Sequence, residues 1–316
     1  MANIKELSAR PESLAPGHRL CGGCGASIAV RQVLMAADRE KYDVVASNAT
    51  GCLEVSTSIF PYTAWEIPWI HNAFANAGAT CSGIEAAYKG LKRAGKIPAD
   101  KKIKFVAFGG DGGTYDIGLQ SLSGAMERGH DMVYVCYDNG AYMNTGIQRS
   151  SATPKGAWAT TSEVGKVGKG KPEVRKDLTS IMAAHGIKYV GQSTVGHWRD
   201  LTQKAEKAFN VDGPAFLNIL APCPRGWRIP SDMTTEICRM AVNSKFWPLF
   251  EVEDGVWHVT PVRDKNAIDL EAFLKPQGRF KHLFKPGAEE LLQEMKDDVD
   301  AYWAYLQGRV EGSKNL

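Results

Sequence analysis

A glycine-rich turn between an apolar run and a helical pattern constrains the fold most strongly. The run Lys104 to Phe108 (KFVAF) is short, apolar and bounded by glycine, which is typical of a buried parallel strand. Gly109 to Gly113 (GGDGG) follows, and a helical pattern covers Ile117 to Arg128. Glycine lets the backbone approach a phosphate closely, and a helix start offers free N–H groups to an anion. The turn therefore predicts a phosphate-binding loop in an open α/β sheet.

A second polar turn follows the next apolar run. Met132 to Tyr137 reads as a buried strand and ends at Asp138-Asn139-Gly140. In an open α/β sheet, ligands bind at the carboxyl ends of the strands, where the two turns meet. The Asp111 carboxylate, the Asn139 amide and a backbone carbonyl near Ala141 could together hold a Mg²⁺ ion that bridges to a phosphate. For the first turn alone, an aspartate that merely caps its helix is the simpler interpretation; the second turn favours the cation site.

Strand and helix patterns alternate from residue 43 to residue 220, which predicts an α/β fold with a doubly wound, mostly parallel sheet. Residues 21–224 form the predicted binding domain. Residues 1–20 are expected to be an arm lying on a neighbouring chain, and residues 225–316 a helical extension packing on partner subunits. We expect His71 to open a helix over 72–93, and residues 148–171, which lack periodicity, to form a long functional or mobile loop.

Composition excludes several classes of protein. The 316 residues are 44% hydrophobic and 23% charged, with a formal net charge of +3, which is too small and too mixed to suggest nucleic-acid binding. No run of about 18 apolar residues is present, so no membrane span is expected. The N-terminus has no apolar core typical of a signal peptide. Seven cysteines without an export signal favour reduced thiols or ligands over disulfides, and the cytoplasm is the expected location.

Four of the cysteines lie where loops meet strands or helices. Cys21 and Cys24 form a CxxC pair, while Cys52 and Cys223 each follow a predicted strand. The spacing leaves four interpretations open: a [4Fe–4S] cluster, structural zinc, a redox pair, and buried thiols without a ligand. The Cys223-Pro224 pair slightly favours the cluster, because such pairs often end cluster-binding runs. The remaining three cysteines look like core residues: Cys81, Cys136 and Cys238.

Several long runs resemble a known family. GDG followed by asparagine at this spacing is similar to the diphosphate-binding motif of thiamine diphosphate enzymes. From about residue 18 to about residue 250, the chain resembles the β subunit of pyruvate:ferredoxin oxidoreductase, with QGRFKHL near residue 277 extending the likeness. The runs that carry it are LCGGCG, NATGCLEV, PYTAWEIPWIH, GGDGGTYDIGLQSLSGAMERGH, YDNGAYMNTGIQRSSATPKG and APCPRGWR.

The resemblance implies roles for individual residues. Proximal [4Fe–4S] ligands would be Cys21, Cys24, Cys52 and Cys223. Mg²⁺ would be held by Asp111, Asn139 and the carbonyl of Ala141. Asn144 would face the reacting substrate. The thiamine diphosphate itself would be contacted by a larger set: Gly51, Leu53, His71, Gly110, Asp111, Gly112, Gly113, Asn139, Ala141 and Tyr142. For His71, a capping or core histidine is an equally good interpretation.

The resemblance also implies partners. An α subunit would supply the glutamate that activates thiamine and most substrate contacts, and further subunits or domains would carry ferredoxin-type [4Fe–4S] clusters toward ferredoxin. The implied reaction is oxidative decarboxylation of pyruvate with coenzyme A. Gly140 stands where the family commonly has glutamate, and losing that charge would favour a doubly charged substrate. Two alternatives therefore remain: an oxalate oxidoreductase β subunit that works without coenzyme A, and half of a non-redox thiamine diphosphate enzyme with structural zinc.

Overall fold

A single eight-stranded sheet organises the chain. The computed structural model describes residues 3–314. The strands are β1 (Asp43–Ala49), β2 (Trp69–Asn72), β3 (Ile103–Gly110), β4 (Val133–Asp138), β5 (Tyr189–Thr194), β6 (Ala215–Leu220), β7 (Phe250–Glu253) and β8 (Val256–Val259). They lie in the order β2-β1-β3-β4-β6-β5-β7-β8. The first six strands in this order are parallel to one another, β7 is antiparallel to β5, and β8 is antiparallel to β7. The predicted α/β fold with a mostly parallel sheet is confirmed.

Helices cover both faces of this sheet. They are α1 (Ile4–Ala9), α2 (Gly25–Ala36), α3 (Cys52–Thr57), α4 (Ala77–Arg93), α5 (Leu119–Glu127), α6 (Leu178–Ala183), α7 (Trp198–Asn210), α8 (Pro224–Trp227), α9 (Thr234–Asn243), α10 (Leu270–Leu274) and α11 (Glu289–Gly312). Buried side chains of α2, α7 and α9 form the core on one face, and those of α4, α5, α6 and α11 contribute to the core on the other. This explains why the parallel strands read as continuous apolar runs, since neither face meets water.

The structure corrects two predictions about secondary structure. His71 does not open a helix: it lies in β2, which pairs with β1, and α4 begins only at Ala77. The C-terminal extension is not wholly helical, because β7 and β8 form an antiparallel hairpin that extends the sheet beyond β5. Both strands are only four residues long. Alternation over so few residues is too weak to identify a strand from sequence.

The two terminal segments pack on the chain itself. Arg10 Nη1 donates a hydrogen bond to the carbonyl of Met35 (2.7 Å), and Leu14 pairs with Trp65 in an isolated bridge. At the other end, Leu306 of α11 is buried in the core that covers the β7–β8 side of the sheet. Contacts of either segment with a neighbour stay a prediction. No helix within residues 3–314 is long and apolar enough to cross a membrane.

Candidate functional site

A narrow hollow lies at the carboxyl ends of β1, β3 and β4. Its volume is about 30 Å³. It is the place where the predicted phosphate loop and the second polar turn meet, as expected for an open α/β sheet. The residues that line it come from four segments of the chain: Thr50, Gly51, Cys52, Phe74, Gly110, Asp111, Gly112, Gly113, Tyr137, Asn139, Ala141, Tyr142, Met143, Asn144 and Thr145.

Tyr142 keeps the hollow narrow. Its hydroxyl donates to the carbonyl of Gly112 (3.0 Å), and its ring lies so close that a Cβ on Gly112 would be 2.3 Å from a ring carbon. Only glycine fits there. The Tyr142 ring therefore lies over the glycine-rich turn at Gly112.

Asp111 is a buried carboxylate without a cationic partner. Its side chain is 0% exposed, and no Lys, Arg or His nitrogen of residues 3–314 lies within 4 Å of it. Burial, and then the negative charge of Asp138, raise the pKa of Asp111 well above its ordinary value. Hydrogen bonds from Ser150 Oγ and from the backbone N–H of Asn139 (3.2 Å) act in the opposite direction. An ionised group in this position is stabilised chiefly by a metal ion or another positive charge.

The other two predicted magnesium ligands converge on Asp111. One terminal atom of the Asn139 amide lies 2.8 Å from the carbonyl oxygen of Ala141 and 3.0 Å from Asp111 Oδ1. Hydrogen bonding within the chain favours the nitrogen in that place, because it can donate to both oxygens. With the amide turned the other way, the oxygens of Asn139, Ala141 and Asp111 would be neighbours, which suits Mg²⁺. The donor set thus fits a hard cation with few protein ligands.

Asp138, which the sequence analysis did not assign to the site, is neutralised on the far side of β4. Arg175 Nη2 donates to its Oδ2 (2.6 Å), and the Tyr115 hydroxyl donates to the same oxygen (2.7 Å). Asn218 in turn donates to the Tyr115 hydroxyl (2.7 Å). The two neighbouring carboxylates therefore differ in their ion pairing: Asp138 pairs with Arg175, whereas Asp111 pairs with no cationic side chain of residues 3–314.

The four predicted cluster cysteines form one neighbourhood. Burial, followed by the negative charges of Cys223, Cys24 and Cys21, raises the pKa of Cys52 to about 12. Burial also raises the pKa of Cys24, backbone N–H groups of Ser27 and Ala26 lower it, and Cys223 and Cys21 again raise it. Residues separated by about two hundred positions in sequence thus influence one another directly.

Two glycines allow the CxxC loop to approach Cys223. The backbone N–H of Gly25 donates to the carbonyl of Pro222 (3.0 Å), and a Cβ at Gly25 would lie 2.4 Å from the carbonyl carbon of Ala221. Gly23 has φ +72° and lies against the carbonyl of Ser231. Gly25 therefore allows close packing between the start of α2 and the end of β6, and Gly23 allows close approach to Ser231.

The thiols are neighbours without forming a single-ion site. Within residues 3–314, no three His, Cys, Asp or Glu side chains lie close enough together to hold one metal ion. Four thiolates on one zinc would stand about 3.8 Å apart, given Zn–S bonds of about 2.3 Å in a tetrahedron. A cube with an iron at each of four corners accepts more widely spaced thiolates.

Tyr137 and Met143 lie between the hollow and the cysteines. The Tyr137 hydroxyl is buried, has no hydrogen-bond partner within the described chain, and would be 3.1 Å from a Cβ on Gly51. Met143 lines the hollow, while its sulfur packs against Gly226, three residues after Cys223. Neither residue was predicted, because a tyrosine at the end of a strand and a methionine in a loop resemble ordinary core residues in sequence.

The structure separates the predicted cofactor residues into two groups. Gly51, Gly110, Asp111, Gly112, Gly113, Asn139, Ala141, Tyr142 and Asn144 all line the hollow. Leu53 and His71 do not. Leu53 is fully buried in the core. His71 lies outside, where its Nδ1 contacts Glu54 Oε1 (3.1 Å) and its ring stacks on Trp69.

The long loop contributes contacts that the sequence did not reveal individually. Residues 148–171 contain no helix or strand, as expected. Ser150 bonds Asp111, the Thr153 hydroxyl donates to the carbonyl of Gly140 (2.7 Å), and the buried Lys171 donates to the carbonyl of Thr153 (2.7 Å). The loop is thus fastened to the second polar turn. Its serine-rich composition next to the site was the only available signal.

A larger cavity, of about 340 Å³, lies away from these residues. It lies between α6, the middle of β5 and β6, and α11, and its walls include Leu178, Trp247, Met295 and Tyr302. None of the predicted site residues lines it. Because the residues predicted to bind a phosphate or a cation line the narrow hollow, the hollow is the candidate functional site although the other cavity is larger.

Comparisons with known proteins agree with this geometry. The family described as "Thiamine pyrophosphate enzyme, C-terminal TPP binding domain" matches residues 49–219, more than half of the chain. The pyruvate synthase subunit PorB of Thermotoga maritima is 52% identical over 99% of this chain and 98% of its own. The PorB subunit of Methanocaldococcus jannaschii is 51% identical over 89% and 93%.

Two further comparisons widen the picture. The ketoisovalerate oxidoreductase subunit VorB of Pyrococcus horikoshii is 45% identical over 89% of both chains. A solved 2-oxoglutarate:ferredoxin oxidoreductase from Magnetococcus marinus has the same fold, with a TM-score of 0.55 and 23% identity over 72% of this chain and 79% of that one. The chain therefore belongs to the PorB family, the β subunits of thiamine diphosphate-dependent 2-oxoacid:ferredoxin oxidoreductases.

Proposed function

We propose that this chain is the β subunit of a pyruvate:ferredoxin oxidoreductase, which oxidatively decarboxylates pyruvate with coenzyme A and passes electrons to ferredoxin. It would hold thiamine diphosphate through Mg²⁺ at the strand-end hollow, and a [4Fe–4S] cluster through Cys21, Cys24, Cys52 and Cys223. The observation that carries the proposal is the buried, unneutralised Asp111 carboxylate facing Asn139 and Ala141, beside a four-thiol neighbourhood.

The roles of the residues follow from their positions. Asp111, Asn139 and the Ala141 carbonyl would bind Mg²⁺, and Gly110, Gly112 and Gly113 leave room for the diphosphate. Asn144 would face the substrate at the mouth of the hollow. Bound thiamine diphosphate supplies a carbanion that attacks 2-oxoacids, and a cluster accepts electrons singly. Tyr137 and Met143 would exclude water between the two centres, which limits loss of electrons to side reactions.

We further propose that a partner subunit completes the site. The aromatic loop after α3 exposes Phe60 and Tyr62 to 93% and 74%, and Val55 of α3 to 41%. Exposed apolar side chains in one segment are typical of a protein–protein contact. An α subunit placed there could supply the glutamate that activates thiamine, while other subunits or domains with ferredoxin-type clusters would lead to ferredoxin.

The proposal is tested by a substrate panel on the native complex, purified without oxygen. Viologen reduction is followed with pyruvate, 2-oxobutyrate, 2-oxoglutarate, glyoxylate and oxalate, each with and without coenzyme A. We expect the highest kcat/KM with pyruvate and dependence on coenzyme A. Faster turnover of oxalate without coenzyme A would instead assign the oxalate branch, for which the uncharged Gly140 is the only argument.

Metal analysis of the same preparation separates the redox from the non-redox alternative. About four irons per chain and a broad visible absorption that dithionite bleaches are expected for the cluster. A colourless protein with one zinc per chain would contradict the proposal and favour a thiamine diphosphate enzyme without redox chemistry.

A further inference from the structure

Arg279 is a buried cation that no mechanism above uses. It lies in the 3-10 helix Gly278–Phe284 and is 2% exposed. Within residues 3–314 its guanidinium donates one hydrogen bond, from Nε to Gln277 Oε1 (2.9 Å), and has no carboxylate within 4 Å. The group stacks on Trp227, with the guanidinium carbon 3.7 Å from the ring centroid. Burial lowers the pKa of Arg279 to about 9, so the group stays charged at neutral pH.

Arg279 lies beside the second polar turn, at Gly140, and against Trp227 of the short helix that follows Cys223. The Trp227 ring beneath it donates from Nε1 to the carbonyl of Asn139 (2.6 Å), and a Cβ on Gly140 would lie 3.0 Å from Arg279 Nη1. On the other side, Trp227 ends the short helix α8 that begins directly after Cys223. Burial and the Cys21 charge raise the pKa of the Cys223 thiol, whereas the N–H groups of Gly226 and Arg225 and the charge of Arg279 lower it.

A buried charge without a partner is costly even after the surroundings relax. Stacking on an aromatic ring offsets part of this cost when the site is desolvated. The anionic groups that act on Arg279 are Asp138, Cys223 and Asp111. Asp138 already binds Arg175, and Asp111 faces the proposed magnesium ligands. The remaining counter-charge is the thiolate centre that includes Cys223.

We propose that Arg279 is the buried counter-charge of the cysteine-bound cluster and raises its reduction potential. The inference rests on the proposed function. Reduction adds one electron and therefore one negative charge to a centre that four thiolates already make anionic. A fixed positive charge in a dry environment stabilises the reduced form more than the oxidised form, because the attraction grows with the charge of the centre. Arg279 acts through the cluster without touching the substrate, so it is a positioning residue.

The test compares cluster potentials in the full chain, reconstituted anaerobically with iron and sulfide and titrated under EPR detection. Arg279→Gln removes the charge and is expected to disfavour one-electron reduction about tenfold, which lowers the potential by about 59 mV. Arg279→Lys keeps the charge and is expected to stay near the wild-type potential even if it loses stability. Arg228→Gln is the matched control: Arg228 also stacks on a tryptophan, Trp158, but is exposed. Solvent screens its charge, and we expect little change.

A second variant neutralises the charge of Arg279 without replacing the arginine. Gly140→Glu places a carboxylate beside Arg279 Nη1 and is expected to lower the potential in the same direction, although its φ of +76° will cost stability. This variant decides the question if Arg279→Gln does not fold. Four irons per chain with an unchanged potential in the charge-removing variant would overturn the inference alone. A wild-type chain that binds no iron would overturn the proposed cluster as well.

Discussion

The residues proposed to bind Mg²⁺ and the four cysteines are held in place in opposite ways. Asp111, Asn139 and Ala141 belong to two adjacent parallel strands and their turns, and hydrogen bonds already aim them at one point. The cysteines come from the CxxC loop, the start of α3 and the end of β6, and their mutual approach depends on packing between α2 and β6. One set is preorganised by the sheet, while the other is held by contacts between distant segments.

The difference shows where each centre is vulnerable. Removing a ligand on the magnesium side leaves the scaffold intact, because the strands do not depend on Asp111. A change on the cysteine side can act without touching a thiol, because backbone approach at Gly25 sets the separation. Four predictions either break this contrast or sharpen it.

The largest effect is expected for Asp111→Asn, which removes the one charged residue among the proposed magnesium ligands. Thiamine diphosphate affinity in the presence of Mg²⁺ should fall more than about 100-fold, measured by equilibrium dialysis of the complex that carries the variant, with iron per chain unchanged. The chain without cofactor should become more stable at neutral pH, because burial holds the pKa of Asp111 above its ordinary value.

The sign of that stability change follows from linkage. A carboxyl with a raised pKa in the folded state stabilises the fold below its unfolded pKa of about 3.9 and loses that contribution as the pH rises through the folded value. Thermal unfolding at pH 4 and pH 7 should therefore differ less in Asp111→Asn than in the wild type. Affinity and stability that fell together would contradict a cation site.

The second effect concerns Cys52→Ala, which removes a proposed cluster ligand at the start of α3. Iron content and ferredoxin reduction should be lost, while thiamine diphosphate affinity should fall much less than in Asp111→Asn, because Cys52 lines the hollow but the proposed magnesium ligands follow β3 and β4. Cys81→Ala is the control, since Cys81 is a buried core thiol on the other face of the sheet. Ferredoxin reduction at the normal rate in Cys52→Ala would disprove the ligand assignment.

The third effect tests packing without changing a ligand. Gly25→Ala places a methyl group 2.4 Å from the carbonyl carbon of Ala221, so we expect unfolding to cost about 1–3 kcal/mol less and iron loading to decline. Gly22→Ala is the matched control in the same CGGCG run, because a Cβ at Gly22 meets nothing within 4 Å. Chemical denaturation and iron analysis of both variants decide the point. Equal behaviour would show that α2 does not set the cysteine separation.

The smallest effect is a pH dependence of the iron-free chain under reducing conditions. Burial raises the pKa of Cys52 to about 12, whereas an unfolded thiol titrates near 8.5. The folded state keeps its proton longer, so stability should fall as the pH rises above about 8.5. Cys52 alone should contribute a slope below the limit of about 1.4 kcal/mol per pH unit, because it is only partly buried. The other buried thiols with raised pKa values, such as Cys81, Cys136 and Cys238, add to the slope of the whole chain. Denaturant titrations from pH 7 to pH 10 measure the total slope, and Cys52→Ala should reduce it by the contribution of Cys52.

Much of the fold was predictable because its signals are local. Parallel strands such as β6, predicted at Ala215 to Leu220 and found there, are apolar throughout, since helices cover both faces. The β7–β8 hairpin was not predictable, because four-residue strands carry little pattern and their pairing partner, β5, lies some sixty residues earlier. His71 was wrongly assigned to a helix start because Ala73 and Ala75, which lie between β2 and α4, resemble the small residues of α4.

The candidate site divides along the same line. Asp111 and Asn139 were predictable because each lies in a polar, glycine-containing turn directly after a predicted strand. The CxxC pair was predictable from its spacing alone. Ser150, Tyr137 and Arg279 give no such signal: a serine in a loop, a tyrosine in a strand and an arginine near the C-terminus are ordinary residues until the fold places them. Leu53 and His71 show the converse, since proximity in a motif did not bring them to the hollow.

The sequence by itself determined the alternating architecture, the two polar turns and the set of candidate thiols, because each depends on interactions between residues a few positions apart. Only the tertiary structure decided which charges stand alone. Asp138 has Arg175 against it, Asp111 has no cation, and Arg279 has no carboxylate within the described chain. The physical reason is that the free energy of a buried charge depends on what surrounds it in space, and residues far apart in sequence supply those surroundings.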